Sequence, residues 1–195
     1  MYAALLFLDL DKGNVFIGMM KTLQVYSTAM EWTARRIFKE LADSACVRRI
    51  LTAFWKHAEP QARLVATMKL SKALRFRDET IRKMPPEKKA DLLASRIGSA
   101  EFDQALEVAL MLYHTHEQNV MMSAFLDRWN VPHENGSIEV DDCTPPTADQ
   151  VRDAVRELEA TYGKRDIALY LASAGLLMGG KWEEGTWPVV EEMTR

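Results

Sequence analysis

Cysteine, glycine and proline are scarce in this chain, and histidine occurs only four times in 195 residues. The two cysteines, Cys46 and Cys143, lie far apart and form neither a CxxC pair nor a zinc-ligand spacing. They are predicted to be reduced thiols of a cytoplasmic protein, with a disulfide between them as the alternative. The low glycine and proline content, with few β-branched residues, favours helix over strand.

Long apolar runs are also missing, so no segment is predicted to cross a bilayer. The N-terminal MYAALLFLDL is apolar but lacks the basic flank and the small-residue cleavage site of a signal peptide. Residues 1–19 are therefore interpreted either as a segment attached to the helices or as a non-native extension. In the second case Met20 is the native initiator.

Motifs that carry catalytic chemistry are absent as well. The sequence has no Gly-rich phosphate loop, nucleophile elbow or Glu-x-x-His pair. Asp9 and Asp11 follow an apolar stretch and resemble the start of haloacid-dehalogenase-like phosphatases. However, Lys12-Gly13 stands where that family has Gly-Thr, and the alternating strands of the required parallel sheet are missing. The sequence therefore favours a non-catalytic protein with no cofactor and no metal.

What is present is helical periodicity along most of the chain. The pattern predicts an all-α fold, an irregular multi-helix bundle of about 7–8 helices in a single domain of residues 1–195. Asn135-Gly136 predicts a small hairpin or ordered loop within residues 130–146. Thr147 and Gln150 form a capping box that opens the next helix, and the tail after Gly180 is predicted to add one or two helical turns.

A long helix over residues 100–129 is predicted to be central, because its apolar positions wrap most of the way round. On this helix His116 is predicted to face the core, beside Tyr113, whereas His114 falls at the polar edge. One functional hypothesis is an enzyme or metal-binding protein whose pocket includes Tyr113, His116, Glu117 and, from the hairpin, His133. The alternative is that His116 is a core residue with a structural role.

Charge is distributed unevenly. Residues 20–96 carry 17 Lys or Arg and 8 Asp or Glu, whereas residues 97–195 carry 7 and 18. A predicted basic helix over residues 61–83 places Lys69, Lys72, Arg75 and Arg82 in one sector, as candidates for binding an anionic partner. Nucleic-acid binding through this half is one hypothesis. The preferred interpretation is that the two halves face each other, within one chain or across a dimer.

The function predicted from the sequence is therefore a cytoplasmic helical protein that acts through protein–protein contacts or self-association. Its support is the complementary charge of the two halves, the absence of catalytic motifs, and Trp182, Trp187 and Met193 near the C-terminus.

Overall fold

Ten α-helices and one two-stranded hairpin make up most of residues 31–138 and 143–195, the part of the chain that the computed structural model describes. The all-α prediction is confirmed. The helices are α1 Ala34–Glu40, α2 Ser44–His57, α3 Pro60–Leu74, α4 Asp78–Arg82, α5 Pro86–Ala94, α6 Asp103–Glu117, α7 Asn119–Arg128, α8 Ala148–Tyr162, α9 Lys164–Met178 and α10 Lys181–Thr194. A single 3₁₀ turn, Ala100–Phe102, precedes α6, and strands β1 His133–Glu134 and β2 Ser137–Ile138 form the hairpin.

The helix predicted over residues 100–129 is divided at Gln118 into α6 and α7. Gln118 leaves the helical conformation (φ −125°, ψ 20°), and its side-chain amide donates to the Tyr113 hydroxyl at 3.0 Å. The break redirects α7, so that Met121 and Phe125 are buried whereas Val120 is 69 % exposed. The apolar pattern predicted both helices but not the break, because neither glycine nor proline marks it.

Local signals at helix ends and turns are reproduced closely. Thr147 caps α8, and the Gln150 side chain accepts from the Thr147 backbone N–H at 2.8 Å, which completes the capping box. Asn135 and Gly136 both have positive φ, 50° and 86°, as a tight two-residue hairpin turn requires.

The C-terminal segment is a full helix, so the prediction of one or two turns after Gly180 is wrong. α10 spans 14 residues and contains Pro188. Gly175 of α9 lies against the Trp187 indole and Thr186, and a Cβ atom at that position would overlap both side chains. Close packing against α9 thus supports a helix whose own sequence, with Gly185 and Pro188, is a poor helix former.

The basic helix predicted over residues 61–83 is also interrupted. α3 ends at Leu74, where the C-cap residue Arg75 adopts the left-handed conformation (φ 57°), and α4 begins at Asp78. Lys69 and Lys72 therefore lie on one helix and Arg82 on another.

Helix α6 lies at the centre of the compact unit Trp32–Arg195, in contact with α2 on one side and α9 on the other. Ion pairs between Arg35 and Asp103 and between Arg36 and Glu191, both at 2.8 Å, join the basic N-terminal helices to the acidic C-terminal part. None of the described helices is both long and apolar enough to cross a membrane. Residues 1–19, Asp9, Asp11 and the alternative start at Met20 lie outside the described residues.

Candidate functional site

The two histidines of α6 have the opposite placement from the one predicted. His114 is buried, only 3 % exposed, and His116 is exposed. The core-facing stripe of α6 runs through Leu106, Leu110 and His114, four residues apart. Because α6 has apolar residues nearly all round, its sequence is compatible with burial of either the His114 side or the His116 side. In the structure α6 packs against α9 through the side that includes His114.

A pocket of about 790 Å³ lies beside His114, between α6, α7, the hairpin, residues 143–145, α9 and the start of α10. We call it the His114 pocket. Its walls are largely apolar and include three methionines, Met111, Met122 and Met178. Methionine is flexible and polarisable, so such walls adapt to the shape of a bound molecule. Among the described lining residues, Lys181 is the only charged one, and it is exposed.

Aromatic rings form one side of this pocket. His114 meets Tyr170 edge to face with 5.5 Å between ring centroids, and Tyr170 stacks on Trp129 at 6.4 Å. Trp129 in turn contacts Trp182, which lines the pocket. Burial raises the pKa of the Tyr170 hydroxyl, so that it stays protonated at neutral pH. Paired aromatic rings of this kind pack in defined geometries and give the pocket a rigid side.

His114 is the buried ionisable residue that lines the pocket beside Tyr170. Both of its ring nitrogens are buried, and neither has a hydrogen-bond partner in the structure. Burial lowers the pKa of His114 from 6.5 to about 3, so the ring is neutral at physiological pH and carries one donor and one acceptor. Both nitrogens lie beneath the surface of the pocket, so a molecule in the pocket does not reach them without a rearrangement of the ring.

Comparison with family models, curated proteins and solved structures gave no significant match to this chain. Three metal-ligating side chains, the number a protein site for a metal normally needs, do not come together anywhere in residues 31–138 and 143–195.

The hairpin that closes one side of the pocket is held by His133. Its Nδ1 accepts from the Gly136 backbone N–H at 3.2 Å, and its Nε2 lies 3.1 Å from an Asp127 carboxylate oxygen. Since Nδ1 is the acceptor, the proton is on Nε2, which donates to Asp127. His133 therefore fixes the position of Gly136 and Ile138, which line the pocket, and is not itself among the described lining residues.

The other residues predicted to share a pocket are dispersed. His116 stacks on His57 at the surface, with 4.1 Å between ring centroids and 11° between ring planes. Tyr113 is buried and bonded to Gln118, and Glu117 is exposed beside a separate groove that also includes Arg49 and Lys56. The structure does not bring Tyr113, His116, Glu117 and His133 together.

The four basic candidates do not form one sector either. Lys69 donates from its ammonium group to the Glu101 carbonyl oxygen at 2.7 Å, and Arg75 caps α3. Lys72 and Arg82 are exposed on different helices. A continuous track for a phosphate backbone is therefore not built by these residues.

Sequence reasoning missed the residues that form the pocket, above all His114, Met111, Met178 and Tyr170. The four-residue spacing of Leu106, Leu110 and His114 was the signal available for the histidine. The methionines and Tyr170 gave no signal, because the pocket joins segments that are far apart in the sequence.

Proposed function

We propose that this protein binds a small, largely apolar molecule in the His114 pocket. The observation that carries the proposal is the pocket itself, whose largely apolar lining includes three methionines and the rings of Tyr170 and Trp182. The volume of about 790 Å³ is within the range of pockets that enclose small ligands. A lining that combines flexible methionine side chains with packed aromatic rings is suited to shape-dependent binding of such a molecule.

The proposal is tested with Nile red, a neutral apolar dye whose fluorescence increases in apolar surroundings. Ala174 lines the pocket and is half-buried, so Ala174→Phe places a ring inside the cavity. Ala62 is equally half-buried but lines a separate groove of about 330 Å³ between α3 and α6, so Ala62→Phe is the matched control.

We expect the dye to bind saturably to the unmodified protein. Its affinity should fall at least about tenfold in Ala174→Phe and should stay within about twofold of the unmodified value in Ala62→Phe. Circular dichroism confirms that both variants are folded. Absence of saturable binding, or binding that only Ala62→Phe weakens, would overturn the proposal.

A second candidate function, self-association, is favoured by a different surface. The outer face of α3 exposes Leu64, Val65 and Met68 at positions that share one side of the helix, with Met68 53 % exposed. Lys72 lies on the same side, and the acidic helices α8 and α10 offer the complementary charge. We infer that this apolar and basic face of α3 contacts the acidic surface of a second copy of the chain.

Light scattering across a range of protein concentrations, at low and high salt, tests this candidate. At low salt we expect the mean molecular mass to rise with protein concentration, and high salt should reduce the rise because it screens the charges. The substitution Met68→Glu should also reduce the rise. The control is Val120→Glu on α7, because Val120 is more exposed than Met68 and lies outside the proposed interface. We expect this variant to show the same rise of mass with concentration as the unmodified protein. A strict monomer at the highest concentration would rule out self-association.

We also infer a cytoplasmic location. It is supported by Cys46 and Cys143, which are both free thiols, as expected in a reducing compartment. A fluorescent fusion found outside the cytoplasm would contradict it.

A further inference from the structure

The turn between α3 and α4 exposes an aromatic ring between arginines. Arg75, Phe76 and Arg77 are consecutive and exposed, and Phe76 is 45 % exposed. The Thr80 N–H donates to the Arg77 carbonyl oxygen at 2.9 Å, so α4 follows the turn directly. Arg82, also exposed, therefore comes within about one and a half helical turns of Arg77. We call Arg75, Phe76, Arg77 and Arg82 the Phe76 surface.

The backbone of this turn departs from what its sequence favours. Arg75 adopts the left-handed conformation (φ 57°), at a position where helices usually have glycine. The N–H groups of Arg75 and Phe76 both donate to the Ser71 carbonyl oxygen, which fixes the turn. An apolar residue at the position of Phe76 commonly packs back on the helix, yet nearly half of Phe76 is exposed. Departures from local preference of this kind are expected where a segment has a function.

The three arginines of this surface keep their guanidinium donors available. In the described part of the chain their side chains form no hydrogen bond and no ion pair. The two acidic residues that follow in the sequence do not neutralise them, because Glu79 pairs with Lys83 at 3.3 Å and Asp78 is not paired with them. Residues 72–89 carry 7 Lys or Arg and 3 Asp or Glu. The Phe76 surface is therefore suited to an anionic partner.

A single strand of nucleic acid presents the matching groups. The planar guanidinium group of arginine binds phosphate oxygens through two N–H donors, and exposed aromatic rings stack on unpaired bases. We propose that the Phe76 surface binds single-stranded nucleic acid, with a base stacked on Phe76 and the adjacent phosphates paired with the arginines. In a duplex the faces of the bases are already stacked on each other, so the ring does not reach them. A few nucleotides make all of these contacts, and no continuous basic track is required.

An anionic membrane is the competing partner for a basic surface with an exposed ring. Surfaces that bind membranes insert several apolar side chains below the lipid headgroups. Among the described residues 69–110, Phe76 is the only exposed large apolar residue. One ring surrounded by arginines fits base stacking better than insertion into a bilayer.

Binding is tested by fluorescence anisotropy, with the full chain and a fluorescein-labelled oligothymidylate of about 12 nucleotides. We expect saturable binding at low salt that weakens as salt is added. Arg77→Gln should lower the slope of log affinity against log salt by about 0.7, the value for one phosphate contact to a single strand. The control is Lys164→Gln, which removes an exposed charge at the start of α9 and should leave the affinity within about twofold. An oligouridylate of the same length, measured alongside, shows whether DNA or RNA binds more tightly.

The role of the ring is tested separately from that of the charges. Phe76→Leu keeps an apolar side chain but removes the ring, so the affinity should fall at least about fivefold. Phe76→Trp restores an aromatic surface and should bind within about twofold of the unmodified protein or more tightly. Both substitutions are at an exposed position, and circular dichroism confirms that the variants are folded.

Four results would overturn the proposal. These are no saturable binding of either oligonucleotide at low salt, equal losses in Arg77→Gln and Lys164→Gln, equal affinity for a duplex of the same length, and unchanged affinity in Phe76→Leu. Sedimentation with vesicles of phosphatidylserine and phosphatidylcholine in equal parts, if it shows binding while the oligonucleotides do not bind, assigns the surface to a membrane instead. The Phe76 surface shares no residue with the described lining of the His114 pocket, so these results are independent of Nile red binding.

Discussion

The ring of His114 meets the ring of Tyr170 edge to face, with 5.5 Å between their centroids and 69° between their planes. This contact joins α6 to α9 at the side of the pocket where the only described buried histidine is found. Burial at this contact lowers the pKa of His114, so its imidazole is neutral at physiological pH. The stability of the fold and the shape of the pocket should therefore both depend on how α6 packs against α9.

The first prediction concerns the pH dependence of stability. Because burial lowers the pKa of His114 to about 3, the unfolded chain binds a proton at this residue below pH 6.5 and the folded chain does not. The free energy of unfolding is therefore not reduced by His114 above pH 6.5. Below that pH it decreases by about 1.4 kcal/mol per pH unit as the pH falls towards 3. At pH 5 the loss attributable to His114 is about 2 kcal/mol.

Urea unfolding at pH 7.5 and pH 5 measures this loss. Replacement of His114 by Phe removes the titrating group, so the free energy of unfolding of His114→Phe should fall by about 2 kcal/mol less than that of the unmodified protein. Val120→Phe, at an exposed apolar position of α7, removes no titrating group and should leave the pH dependence unchanged. Equal pH dependence in the protein and in His114→Phe would contradict the buried, neutral state of this ring.

The second prediction concerns the packing of α9 on α10. Gly175→Ala places a methyl group against the Trp187 indole and Thr186, so the free energy of unfolding should fall by about 1–3 kcal/mol. A Cβ atom at Gly98 would have no heavy atom within 4 Å, and the φ of Gly98 lies outside the left-handed region, so Gly98→Ala is the matched control. That control should stay within about 1 kcal/mol of the unmodified protein. Similar effects of both substitutions would show that α10 is not packed as described.

The third prediction concerns the hairpin. His133→Ala removes the acceptor of the Gly136 N–H and the donor to Asp127, which together hold the hairpin turn. We expect a loss of about 1–2 kcal/mol in unfolding free energy, and faster amide exchange confined to the hairpin. His116→Ala, which removes an exposed ring, should change stability by no more than about 0.5 kcal/mol. Unchanged exchange at Gly136 in His133→Ala would show that this histidine does not hold the turn.

Much of the fold could be predicted from the sequence because local chemistry decides helix ends and tight turns. Thr147 with Gln150 and Asn135 with Gly136 act through hydrogen bonds and backbone preferences within a few residues. These features require no knowledge of the rest of the chain, and they occur where the sequence placed them.

The features that could not be predicted depend on contacts between distant segments. At the break between α6 and α7, the Gln118 side chain donates a hydrogen bond to the Tyr113 hydroxyl. Helix α10 is stabilised by close packing of its Trp187 side chain on Gly175 of α9. The choice between His114 and His116 as the buried residue was set by α9, since the apolar surface of α6 alone allowed either. The described lining of the pocket comes from six parts of the chain, so the pocket had no sequence signature.

The most direct test of the ligand-binding account uses the methionine methyl groups as reporters. Protein labelled with ¹³C at its methionine methyls is titrated with Nile red, and the methyl resonances are assigned by single substitutions. Met111, Met122 and Met178 line the His114 pocket, whereas Met68 lies on the outer face of α3. We predict shifts concentrated at the three pocket methionines with Met68 unchanged; shifts at Met68 alone, or at none of these residues, would contradict the account.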